Sequence, residues 1–126
     1  MAFVVDENTG DITLIQGDSG EIVIEGLPTN DNYSVYFAFY NENRKTIGEE
    51  VMQSYSASFV TMIIPSSLTN LLVVNKDDDY TEYYYGIKIC NENTGYEDTM
   101  CINNGDIGDL NVVKVYPKKV EGVVNG

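Results

Sequence analysis

The chain has 126 residues and a mass of 14.0 kDa, the size of one domain. Surface scaling for that size buries about two-thirds of the extended-chain surface, enough for one apolar core without metals or disulfides. Seven basic against twenty acidic residues leave a net charge of −13, which repels nucleic-acid backbones and anionic membranes as direct partners. No histidine is present, so the commonest general base and metal ligand is missing, and a 43% hydrophobic fraction is too high for a disordered acidic tail.

The stretch from Met1 to Asp6 has no basic region and no long apolar run, so no secretory signal is read and a protein made in a cytoplasm is expected. Apolar runs such as 71–74 and 62–64 are far too short to span a bilayer. Turn signals recur about every eight to twelve residues with β-branched or aromatic runs between them, the pattern of an all-β sandwich or barrel. Asn8-Thr9-Gly10 makes the first turn, and 12–16 the first strand. Gly17-Asp18-Ser19-Gly20 breaks it, and 21–25 resumes with Ile22 and Ile24 on one face. Leu27-Pro28 with Asn30, Asp31 and Asn32 forms a loop before the clearest strand, 33–40, which puts Tyr33, Val35, Phe37 and Phe39 on one face.

A turn at 41–45 leads into a weaker strand near 47–53, and 58–64 is a strand with apolar residues on both faces. Pro65 starts a short helical turn over 66–72, because proline suits a first helical position and the segment is too short for more. Residues 76–79 form an acidic loop, and 81–90, 97–102 and 110–116 are the last three strands. The reading is one domain over 1–117 with a tail at 118–126. The predicted core joins Ile22, Ile24, Val35, Phe37, Phe39, Val60, Met62, Tyr83, Tyr85, Ile87, Ile89, Val113 and Val115 across two sheets.

Catalytic and metal chemistry find little footing. Asp77-Asp78-Asp79 offers clustered oxygens for a hard cation, but an EF-type loop counted from Asn75 has Tyr80 where glycine is required and Gly86 where glutamate is required. Asn103-Asn104-Gly105-Asp106 with Asp109 reads as turn residues before it reads as cation ligands. Ser19 and Ser56 have no histidine to activate them, and there is no Gly-x-Ser-x-Gly elbow or phosphate-binding loop. The expectation is a protein that is not an enzyme and has no cofactor and no metal.

Ten tyrosines are the more informative excess. On 33–40 the second face carries Tyr36, Ala38 and Tyr40. On 81–90 Tyr84 shares its face with Glu82, Lys88 and Cys90. Tyrosine is enriched at interfaces, so Tyr36, Ala38, Tyr40 and Tyr84 mark a candidate surface for a neighbouring subunit. The acids fall mainly in predicted turns at both ends of the strands, which favours solubility over mimicry of a phosphate row. Cys90 and Cys101 are the only cysteines. A hairpin centred between Gly95 and Tyr96 places them directly opposite each other, whereas a loop over Asn93-Thr94-Gly95 shifts the register and separates them. Two free thiols are expected in freshly assembled material.

The order of pieces carries a resemblance. "ITLIQGDSGEIVIEG" is followed by "YSVYFAFY", then "SFVTMIIPSSLTNLL", "YTEYYYGIKICNENTGYED" and "LNVVKVYP". This series resembles the N-terminal immunoglobulin-like domain of phage upper baseplate proteins, the BppU type. Its pieces are the Gln16-Gly17-Asp18 turn before an alternating strand, a strand running into a Ser/Thr-Leu helical turn from Ile63 to Leu72, and a Tyr-rich hairpin from Tyr83 to Asp98. The likeness spans about residues 11 to 117. The chain departs from it in lacking a large C-terminal region and in a longer "TMCINNGDIGDL" connection.

The resemblance implies an immunoglobulin-like antiparallel β-sandwich of about seven to eight strands with one short helical turn. It also implies a structural role in a bacteriophage virion, as a capsid decoration, head fibre, tail or baseplate component, with other virion proteins as partners and homo-oligomers in the particle. Two rival functions suit the same fold: a carbohydrate- or receptor-binding module using Tyr36, Tyr40 or Tyr84, and an acidic inhibitor that mimics DNA.

Overall fold

The structure is a computed structural model that describes residues 3–6, 8–75, 77–100 and 111–119. Its elements are β1 (Val4–Val5), β2 (Ile12–Ile15), β3 (Gly20–Ile24), β4 (Tyr33–Tyr40), β5 (Thr46–Ser54), β6 (Val60–Ile64), α1 (Ser66–Thr69), β7 (Thr81–Asn91), β8 (Glu97–Met100) and β9 (Asn111–Tyr116). Among the described residues the strands form two sheets. The larger runs β1-β2-β9-β7-β4-β5, with β8 also paired to β7, and the smaller is β3-β6. The protein is an all-β, immunoglobulin-like sandwich, because the chain alternates between the sheets so that β3 and β6 face β4, β7 and β9.

A second mark of this fold lies at the start of β7. The Tyr83 hydroxyl donates to the Val73 carbonyl ten residues upstream, the tyrosine corner that ties the β6–β7 connection to the sheet.

Alternation of side chains explains which strand faces are buried. The inward residues Ile22, Ile24, Val35, Phe37, Phe39, Val60, Met62, Tyr85, Ile87, Val113 and Val115 are buried as expected, while Tyr83 and Ile89 pack half-buried against them. The core also takes in Phe3, Ile12, Leu14, Leu27, Ile64, Leu68 and Leu72. Its centre is aromatic: Phe37 stacks on Tyr85 at 5.3 Å between ring centroids and meets Phe39 edge-on at 4.9 Å.

Three expectations are revised. The sheets are not wholly antiparallel, since β2 pairs parallel with β9, Ile12 opposite Val113 and Ile15 opposite Tyr116. A parallel pair needs a long crossover, and here nearly the whole domain lies between the two strands. There are nine strands among the described residues, because β1 pairs with β2 through the turn at Asn8-Thr9-Gly10. The helical turn is shorter than 66–72, with Leu71 and Leu72 continuing as a tight turn closed by bonds to Leu68 and Thr69. Residues 101–110 and 120–126 lie outside the described residues, and with them Cys101, the Asn103–Asp109 turn and most of the 118–126 tail.

The α1 turn is positioned by two hydrogen bonds to the β2–β3 connection: Gln16 Nε2 donates to the Asn70 carbonyl at 2.8 Å and Thr69 Oγ1 to the Asp18 carbonyl at 2.9 Å. Opposite it, β5 bulges. Phe37 pairs with Val51 and Phe39 with Ile47, so Gly48, Glu49 and Glu50 all face the single residue Ala38. Gly48 sits at φ +70°, and a Cβ there would lie 2.6 Å from Leu68 Cδ1 and 2.9 Å from Leu71 Cδ1. Glycine is required at this site by both backbone and contact.

Gly26 has a similar φ of +69° but open space around it. Gly26→Ala should therefore cost about 1 kcal/mol, the left-handed backbone penalty alone. Gly48→Ala should cost more, about 2–3 kcal/mol, because the leucines must also move. Denaturant melts of the two variants check this. Equal losses would show that the leucines yield freely.

Candidate functional site

The outer face of the large sheet is built from the even-numbered residues of β4 and β7. Pairing of these strands sets Tyr36 opposite Lys88, Ala38 opposite Gly86, and Tyr40 opposite Tyr84. Flanking strands extend the rows: Met52 of β5 lies opposite Tyr36, Thr99 of β8 opposite Lys88, Thr46 opposite Tyr40, and Val112 of β9 opposite Tyr84. Directly opposed side chains are about 5 Å apart at Cβ and successive ones on a face about 7 Å apart, so each row is a continuous strip. Between the rows stand the two smallest residues of the face, Ala38 and Gly86.

The four residues singled out from sequence are thus brought together, but they are not equivalent. Tyr36, Tyr40 and Tyr84 are half-buried and can be reached by a partner. Ala38 is 2% exposed within the single chain, because a methyl group between larger neighbours on a central strand is screened by them. Met52 and Val112 join the surface without having been expected there. Met52 is 53% exposed, and only strand pairing, not spacing, places it beside Tyr36.

Charge frames this face. Lys88 Nζ binds Glu97 Oε1 at 2.8 Å, which holds the ammonium above its ordinary pKa. The Tyr36 hydroxyl leans toward Glu92 Oε2 at 3.5 Å, and loss of water together with that carboxylate raises its phenol. Cys90 lies in the same neighbourhood. Partial desolvation and the carboxylates of Glu92 and Glu97 raise its thiol, so it stays protonated and is a poor nucleophile.

The β7–β8 hairpin turns through residues 92–95 with Gly95 at φ +78°, and the Asn91 N–H donates to the Tyr96 carbonyl. Cys90 is therefore opposite Glu97, and Met100 opposite Ile87. Of the two hairpin placements, the one that sets Cys90 directly opposite Cys101 is overturned by this register, because the turn is centred two residues earlier, between Asn93 and Thr94. Among the described residues Cys90 has no disulfide partner.

At the same end of the sandwich, Asp31 accepts hydrogen bonds from the Asn32 backbone and from the Asn91 and Asn93 side-chain amides, which hold its carboxyl below the ordinary range. Those bonds lock the β3–β4 loop to the hairpin. The Asp77–Asp79 loop is exposed, and Asp78 accepts a bond from Asn75 Nδ2 at 3.1 Å. Among the described residues no cluster of three or more acidic or cysteine side chains is placed to hold a metal ion, and no helix is long and apolar enough to cross a membrane. No protein-family model matches this chain, and no curated protein matches it.

Proposed function

We propose that this chain is a non-enzymatic structural component of a bacteriophage virion, made in the host cytoplasm and acting by assembly with other virion proteins and with copies of itself. The observation that carries the proposal is the outer face of the large sheet, where Tyr36, Tyr40 and Tyr84 with Met52 and Val112 surround the Ala38–Gly86 pair. Tyrosine and methionine are enriched where interfaces are fully buried, and tyrosine supplies large contact area with little rotamer loss. The resemblance in the order of the strand motifs supports the virion setting. A net charge of −13 opposes self-association in dilute solution, so assembly would draw on many copies held together in a particle.

The test is incorporation into particles made by the phage that encodes the chain. A Tyr36→Glu/Tyr84→Glu variant should keep its melting transition, since both side chains lie outside the core, yet fall at least about tenfold in purified particles. Unchanged incorporation, absence of the wild-type chain from particles, or an intact assembly with Tyr36, Tyr40 and Tyr84 all facing water would each overturn the proposal.

A further inference from the structure

The two sheets are unequal, and the inequality leaves an open strand position. On one side of the sandwich the large sheet ends at β5 and the small sheet at β6. Among the described residues β5 pairs only with β4, and β6 only with β3, so a nine-residue edge and a five-residue edge carry unpaired backbone groups there. Burial records what is missing above them. On the inward face, Phe37 and Phe39 of β4 are fully buried under the small sheet, whereas their partners Val51 and Ile47 on β5 are only half-buried. Ile63 and Leu71, 56% and 48% exposed, border the same gap. The result is a groove of about 450 Å³ whose lining includes Glu49, Glu50, Val51, Ile63, Leu68 and Leu71. The contact of Gly48 with Leu68 and Leu71 fixes one end of it.

Charge selects the occupant. Glu49 and Glu50 both line the groove, Glu50 near enough to the outer face to act on Lys88 and Tyr36 as well, and Glu21 stands one strand further off, opposite Ile63. A second copy pairing through its own β5 would set Glu49 and Glu50 against Glu49 and Glu50, and like charges across an edge are destabilising. An extended segment bearing lysine or arginine meets the opposite situation. Its main chain completes the open edge, alternate apolar side chains enter the groove, and its cations face the acids.

We infer that the β5–β6 groove is a strand-addition site for a lysine- or arginine-bearing extended segment of a different polypeptide. The inference rests on the assembly reading and names what a second surface of the module takes, on a side of the sandwich distinct from the tyrosine face.

The probe is an eight-residue capped peptide alternating valine with lysine, titrated into the full chain and followed by amide NMR shifts and amide exchange. Saturable binding is expected, with shifts and slowed exchange concentrated in 46–54 and 60–64. Three changes should each weaken it by about tenfold: N-methylation of alternate peptide amides with charge unchanged, Leu71→Asp, and replacement of the peptide lysines by glutamate. Glu49→Lys, an exposed change that leaves the fold intact, should weaken it severalfold.

Equal binding of the N-methylated peptide would reduce the effect to bulk charge and overturn the site. Shifts centred on Tyr36 and Tyr84 or on 77–79, or wild-type dimers joined through β5, would overturn it as well. Particle incorporation is measured separately, so failure here leaves the tyrosine-face result standing on its own.

Discussion

Phe37→Ala should remove about 3–5 kcal/mol of folding stability, the range for deleting a buried phenylalanine ring. Phe37 has no exposed surface and contacts both Tyr85 and Phe39 through its ring. It is also on β4, which hydrogen-bonds to β5 on one side and β7 on the other, so the cavity has no free edge toward which to collapse. A domain of this size has about 5–15 kcal/mol in total, so the variant should sit near the threshold of folding at 37 °C. Guanidinium melts measure the loss. A deficit below about 1.5 kcal/mol would mean that the aromatic centre is looser than its geometry indicates.

The second large effect is alkaline. Burial, aided by the Asp11 carboxylate, raises the Tyr85 phenol well above its ordinary value, and its hydroxyl donates to the Gly10 carbonyl. Burial also raises Tyr55 and Tyr83. Below about pH 10 the tyrosine keeps its proton in both folded and unfolded chains, so the contribution of Tyr85 is fully present. Above that pH the unfolded chain ionises first and binds fewer protons than the folded one. Stability then falls by up to about 1.4 kcal/mol per pH unit for Tyr85, until the folded group itself ionises.

Tyr85→Phe tests this in two ways. At neutral pH it should cost about 1–3 kcal/mol, because the Gly10 carbonyl loses its donor in a buried place. Above about pH 10 the decline should become shallower by one tyrosine's share. An unchanged slope would place the titration elsewhere in the chain.

Both effects bear on function through rigidity. Tyr36 and Tyr40 flank Ala38 on the face opposite Phe37 and Phe39, so a disturbed core would tilt the strand that presents them.

Much of this was legible in the residues themselves. Period-two alternation found β4 and β7, assigned Phe37, Tyr85 and Ile87 inward, and left Tyr36, Tyr40 and Tyr84 outward, because side-chain direction in a strand is a local property. Turn chemistry located Gly17, Asn41 and Gly95 for the same reason. Absence of histidine and a charge of −13 narrowed the chemistry before any fold was considered.

What alternation cannot give is which strand lies beside which, and in what register. The hairpin turning through 92–95 moved Cys90 from Cys101 to Glu97, a shift set by loop closure and invisible in either strand. The same limit hid Met52 beside Tyr36, the burial of Ala38 beside Gly86 on an outward face, and the parallel pairing of β2 with β9. The open position between β5 and β6 is the clearest case. Each strand is an ordinary amphipathic run by itself, and the groove exists only because a two-stranded sheet packs against a larger one and stops short of its edge. The residues determined their own faces, and pairing between distant segments decided everything that depends on neighbours.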